Sequence, residues 1–195
     1  MRHGSRLGFA PQALGALLSL AIVLNIPAAS SQSTEPTEYQ LKAAFLFNFA
    51  KFVQWPSTSF TGPQSEFGIC ILGQDPFGKS IDDELHGKTI GEHPVTITRC
   101  KSLTEIGNCH IVFVSSSESK KLPEILATLK GSSALAVGET DGFAASGGTI
   151  QFTLEQQRVR FIINVDAAER ARLQISSKLL ALAKIVRDVP GNGKS

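Results

Sequence analysis

The sequence predicts an α/β layered sandwich with a mixed, mostly parallel sheet, a C-terminal β-hairpin and a long closing helix. Three observations predict it: strand-length apolar runs alternate with helix-period segments up to residue 137, two strictly alternating strands follow, and the last apolar stripe has helical spacing. From Glu38 to Trp55, the residues Leu41, Phe45, Leu46, Phe49, Phe52 and Val53 recur at three- and four-residue spacing, and Pro56 stops the pattern. This is an amphipathic helix. Phe67–Leu72 reads as a buried strand, and a glycine-containing turn leads into a helix from about Pro76 to His86. Val95–Arg99 and Ile111–Val114 read as strands, Leu122–Leu129 as a helix and Ala134–Val137 as a fourth strand. Strands alternating with helices favour parallel pairing. Ile150, Phe152 and Leu154 then alternate with polar residues, as do Val159, Phe161, Ile163 and Val165, which predicts a hairpin turning at Glu155–Gln157. A long helix over 168–189 closes the chain, with Leu173, Leu179, Leu180, Leu182 and Ile185 as its buried stripe.

The N-terminus assigns the compartment. Arg2 and Arg6 precede an uncharged run from Leu14 to Ile26, and the small residues Ala28, Ala29 and Ser30 follow, which is the layout of a cleaved secretory signal peptide over residues 1–30. Residues 31–37 are a polar leader, 38–189 a single α/β domain, and 190–195 a loose tail. Without the first 29 residues the chain holds 17 basic and 17 acidic side chains. A neutral domain argues against nucleic acid as a partner.

Several motifs carry chemistry at first sight. Gly73–Ser80 satisfies the phosphate-loop pattern between a strand and a helix, but Asp75 and Pro76 put a negative charge and a missing N–H where backbone donors should cradle phosphate. A turn with Lys79 on a solvated helix face is the better reading. His86, His93, Cys109 and His110 lack the spacing of a metal site, and Ser115–Ser117 lack a nucleophile elbow and read as a helix N-cap, with Glu118 in the first turn. Asp82, Asp83 and Glu84 form a solvated face, and Asp141–Gly148 a glycine-permitted turn. No catalytic, cofactor-binding or metal-ligating residue is assigned.

Two features remain as site candidates. In an oxidising compartment two of the three cysteines are expected to bridge; Cys70 and Cys109 lie on strands that commonly neighbour one another, while Cys100–Cys109 would close a short local loop. Both pairings stay open on these grounds. On the hairpin's second strand, the face opposite the core presents Arg158, Arg160, Ile162 and Asn164, with Arg170 at the start of the last helix. This face is either a partner contact or the surface that the closing helix covers.

The ordered segments Lys42–Pro56, Phe67–Gly73 with Asp75–Phe77, Cys109–Val114, Gly147–Ile150, Arg160–Asn164 and Ile175–Leu180 resemble the YfiR family of exported bacterial proteins. The likeness runs from about Tyr39 to Arg187. It implies a periplasmic α/β domain without catalytic activity or cofactor, often a homodimer, that holds down a YfiN-type inner-membrane diguanylate cyclase by binding its periplasmic part. The family's disulfide transfers by position to Cys70 and Cys109. A second bridge of some members has no counterpart, because no cysteine follows Cys109. A small-ligand carrier, with the aromatic residues of the first helix near a pocket, is the competing class.

Overall fold

Thr37 begins the fold with a capping box: its hydroxyl accepts from the Gln40 amide at 3.3 Å, and the Gln40 side-chain oxygen accepts from the Thr37 amide at 2.7 Å. The computed structural model describes residues 36–188, so the expected signal peptide, the expected leader up to residue 35 and the expected tail lie outside the described residues. Helix α1 is Glu38–Phe52. It stops three residues before the predicted end because Val53–Gln54 turns extended as β1, antiparallel to β9 at Gln174–Ile175.

The main elements follow in order: β2 Phe67–Leu72, α2 Lys79–Leu85, β3 Thr89–Ile90, β4 His93–Cys100, β5 Ile111–Val114, α3 Leu122–Leu129 and β6 Leu135–Gly138. The chain continues with β7 Ile150–Glu155, β8 Arg158–Asn164, α4 Val165–Arg170, β9, α5 Ser177–Leu180 and β10 Lys184–Val186. Eight strands form one mixed sheet in the order β10-β8-β7-β6-β5-β2-β4-β3. All neighbours are parallel except the β7–β8 hairpin and the β3–β4 edge. The hairpin is tight because Gln156 and Gln157 both take positive φ, at 51° and 61°.

One face of the sheet packs against α1 and α2 around Phe49, Phe67, Phe113 and Phe152, and the other packs against α3 around Leu72, Val112, Ile125 and Phe143. Helix α1 is pinned by a buried charge. Lys42, 4% exposed, contacts the carboxylates of Glu139 at 2.7 Å and Glu38 at 2.5 Å. Burial alone would lower its pKa, but hydrogen bonds and charge from both acids outweigh that and hold the ammonium above its ordinary range.

The predicted closing helix is not one helix. Residues 165–188 form α4, β9, α5 and β10 in succession. The break is a Schellman motif: the Leu173 amide donates to the Ala168 carbonyl and the Arg172 amide to that of Glu169, with Arg172 at φ 58°. Arginine stands where glycine would have announced the stop. Of the predicted stripe, Leu173 and Leu179 are buried, Leu180 is half-buried, and Leu182 and Ile185 are exposed.

Two outcomes follow. Lys42→Met leaves the Glu139 carboxylate buried without its cation and should cost about 3–5 kcal/mol in urea unfolding, with most of the loss recovered by adding Glu139→Leu. Arg172→Gly removes a left-handed non-glycine residue and should raise stability by about 1 kcal/mol, read as an increased Tm.

Candidate docking face and the disulfide

Strand β8 divides its side chains between two environments. Val159, Phe161 and Ile163 are buried, with Phe161 edge-on to Phe49 at 5.2 Å and Phe45 at 5.4 Å. Arg158 and Arg160 are exposed on the opposite face, where Arg160 faces Thr153 in register and the Thr153 hydroxyl is buried without a hydrogen-bond partner. Ile162 is half-buried, opposite Lys184 of β10.

Asn164 departs from the expected surface position. Its side chain is fully buried because the alternation ends where β8 turns into α4, and Asn164 becomes the helix N-cap. Its Oδ1 accepts from the Ala167 amide at 3.0 Å, while Nδ2 donates to the Ala144 carbonyl at 2.8 Å and to Asp188 Oδ1 at 2.9 Å. Arg170 joins the same cluster by an ion pair with Asp188. The Asp188 pKa is held below the usual carboxylate range, first by the Asn164 amide and then by Arg170 and the Lys130 charge. The predicted patch therefore separates into two exposed arginines and a cluster fastening the chain's own end. The segment expected to close over this face as a helix instead ends in β10, which pairs in-plane with the edge of β8. Asp188 was not singled out from sequence, since nothing local marks an acid that pairs with residues 18 and 24 positions away.

The glycine-punctuated turn supports this cluster. Phe143 is fully buried, and a Cβ on Gly138 or Gly148 would fall 2.4 Å or 2.1 Å from its ring. Both positions have to be bare. The Ala144 amide of the same turn donates to the buried Gln151 side chain at 3.1 Å.

At the centre of the sheet, Cys70 and Cys109 are joined in a disulfide with Cα atoms 5.9 Å apart, tying β2 to the residue before His110 and β5. Cys100 is free and buried at the end of β4, its thiol donating to the Glu105 carbonyl at 3.4 Å, and burial pushes its pKa up. His110 is stacked between Phe67 and Phe60, each at 4.6 Å, and Phe60 stacks on His93 at 4.1 Å. The Gly68 amide donates to His110 Nδ1 at 3.2 Å, so Nε2 carries the proton and donates to the Ser59 carbonyl at 3.1 Å. Both ring nitrogens are thus occupied. Burial lowers the His110 pKa below its ordinary 6.5; the Ser59 carbonyl opposes this and the His93 charge adds to it.

The phosphate-loop segment is held by its own side chains. Asp75 Oδ1 accepts from the amides of Phe77 at 2.7 Å and Gly78 at 3.3 Å, and Arg99 bridges Asp75 and Asp82, each at 2.7 Å. Lys79 is exposed. Ser115 caps the 3₁₀ turn Ser116–Lys121, as its hydroxyl accepts from the Ser117 amide. The α1 aromatics Phe45 and Phe49 belong to the core, and Trp55 packs edge-on to Phe67 at 5.0 Å. None of them lines the two larger clefts, each about 610 Å³, which lie beside the disulfide and between α3 and α4.

The domain thus combines a covalently tied sheet centre with two exposed arginines on its C-terminal hairpin. The chain belongs to the YfiR/HmsC-like family, whose pattern matches residues 39–184. No curated protein matches by sequence. Among solved structures it is similar to a chain described as the ABC domain in complex with L-Trp from Streptococcus pneumonia, at 11% identity and a TM-score of 0.46. That likeness covers 62% of this chain and spans 55% of the other.

The neutral His110 gives a pH dependence with a defined sign. Its folded pKa lies below the unfolded one, so on acidification the unfolded chain takes up the proton first. Stability should be full above pH 6.5 and fall as the pH drops below that value, and His110→Gln should flatten the dependence in thermal melts taken across the range.

Proposed function

We propose that this protein is a periplasmic regulatory subunit that docks on the periplasmic portion of an inner-membrane diguanylate cyclase and represses it, lowering cytoplasmic cyclic-di-GMP. Membership of the YfiR/HmsC-like family across residues 39–184 carries this reading. The exposed pair Arg158 and Arg160, on the β8 face opposite Val159, Phe161 and Ile163, supports a docking role for the hairpin. In this reading the protein is a switch subunit, not an enzyme, and can associate as a homodimer. The Cys70–Cys109 bridge makes it responsive to reductant, since opening it loosens β2 from the segment leading into β5.

A carrier of small ligands is the second reading, favoured by the cleft of about 610 Å³ lined by Ser59, Asn108, Cys109, Thr128 and Arg172. A ligand retained in native mass spectra of the exported protein would support it.

The deciding measurement is cyclic-di-GMP in the native host with the gene deleted and restored. Repression predicts a rise on deletion, reversal by the native gene, and poor reversal by Arg158→Glu/Arg160→Glu despite an unchanged Tm. A cyclic-di-GMP level indifferent to the gene while the protein is made would sink the proposal.

A further inference from the structure

The outer edge of β8 is only partly filled. Strand β10 pairs with Ile162–Asn164, so among the described residues Arg158–Phe161 have a strand partner only on the β7 side. Little apolar surface holds β10 in place: Ile185 is 43% exposed and the preceding Leu182 is 69% exposed. Polar contacts hold it instead. Arg187 Nη1 donates to Asp166 Oδ1 at 2.6 Å, the Asp188 amide donates to Asp166 Oδ2 at 2.9 Å, and the Asp188 carboxylate rests on Asn164 and Arg170. The two ion pairs face solvent, contribute little and are screened by salt, and Asn164 is the one buried group among these contacts, so this edge opens more readily than the strands at the sheet's centre.

The bound strand also displays what the edge recognises. A segment running parallel to β8 sets an aliphatic side chain opposite Ile163 and, three residues later, a carboxylate on Asn164 Nδ2 and Arg170, as Ile185 and Asp188 do now. Upstream of that segment the vacant part of the edge carries Arg158 and Arg160, which suits acidic residues. We propose that the β8 edge is a strand-acceptor site: an extended acidic segment from the periplasmic portion of the membrane partner replaces β10, pairs along Arg158–Asn164 and seats a carboxylate on Asn164 and Arg170. Strand addition of this kind takes affinity from main-chain hydrogen bonds and selectivity from alternate side chains. The proposal rests on the partner reading above, whereas acceptance of a strand by the edge does not.

Two arms test it on the full exported chain. In the first, Ile162→Cys/Lys184→Cys places a bridge between residues in register, and oxidation locks β10 onto β8. Binding of the cyclase's periplasmic portion should weaken by about tenfold or more in the locked protein, with each single variant binding as the native chain does. Equal binding by locked and native protein overturns strand replacement and leaves the regulatory reading standing. In the second, Ile185→Pro displaces the resident strand, and a synthetic peptide of residues 181–188 is added in trans. Amide exchange at residues 158–164 should slow by about tenfold, and a peptide ending in asparagine instead of aspartate should fail. No protection by either peptide overturns the acceptor site. Protection without any binding of a cyclase by the native chain removes the partner assignment alone.

Discussion

The C-terminal half of the fold depends on one buried amide. Asn164 has no access to solvent, so each of its donors and acceptors has to find a protein partner, and each partner lies on a different segment. Oδ1 starts α4 through Ala167, Nδ2 fixes the glycine-rich turn through Ala144, and the same nitrogen holds Asp188 at the end of β10. The Asn164 main-chain amide donates to Thr149 at 2.9 Å and sets the register in which β8 meets β7. An aspartate could still cap the helix, but it would turn two donated hydrogen bonds into two acceptor contacts and set a second carboxylate against Asp188.

That dependence explains which parts of the fold were legible in the sequence. Strands β2, β5, β6, β7 and β8 follow from local patterns, because burial on one or both faces writes itself into consecutive residues. The C-terminal stretch misleads because its apolar spacing mimics a helix, while the decisive signal is a backbone conformation at Arg172 that glycine usually advertises. Asn164 misleads differently. Alternation assigns it correctly to the face opposite Ile163, yet a face that ends in a helix cap and a folded-back turn is no longer a surface. Arg158 and Arg160 lie far enough from that end for the simple rule to hold. Long-range pairings such as Lys42 with Glu139, 97 residues apart, leave no local trace at all.

The phosphate-loop likeness shows the same limit from the other side. Glycine, lysine and serine at the right spacing, between a strand and a helix, describe a backbone path but not its electrostatics. Here the carboxylate of Asp75 takes two of the loop's own amides, and Arg99 holds that carboxylate against Asp82. A loop whose amides are already accepted by an internal anion is closed as an anion cradle.

The sheet is consequently unequal along its width. Its centre is tied covalently by Cys70–Cys109, stacked on the rings of Phe67, His110, Phe60 and His93, and buried on both faces. Its β10 edge is a three-residue strand held mainly by charges near water. Opening energies follow burial, so thermal fluctuation concentrates at that edge while the centre stays in register. A regulator needs both properties in one molecule: a fixed frame that presents Arg158 and Arg160 in a constant geometry, and a margin loose enough for a second chain to alter. The separation also constrains any redox response. Between the disulfide and β8 lie β5, β6 and β7, so loosening at the bridge reaches the docking face only by shifting strand register through the middle of the sheet. In a packed, all-or-none structure such a shift is discrete, so under the proposed redox response the bridge would act on the proposed docking face as a switch between two states, not as a graded control.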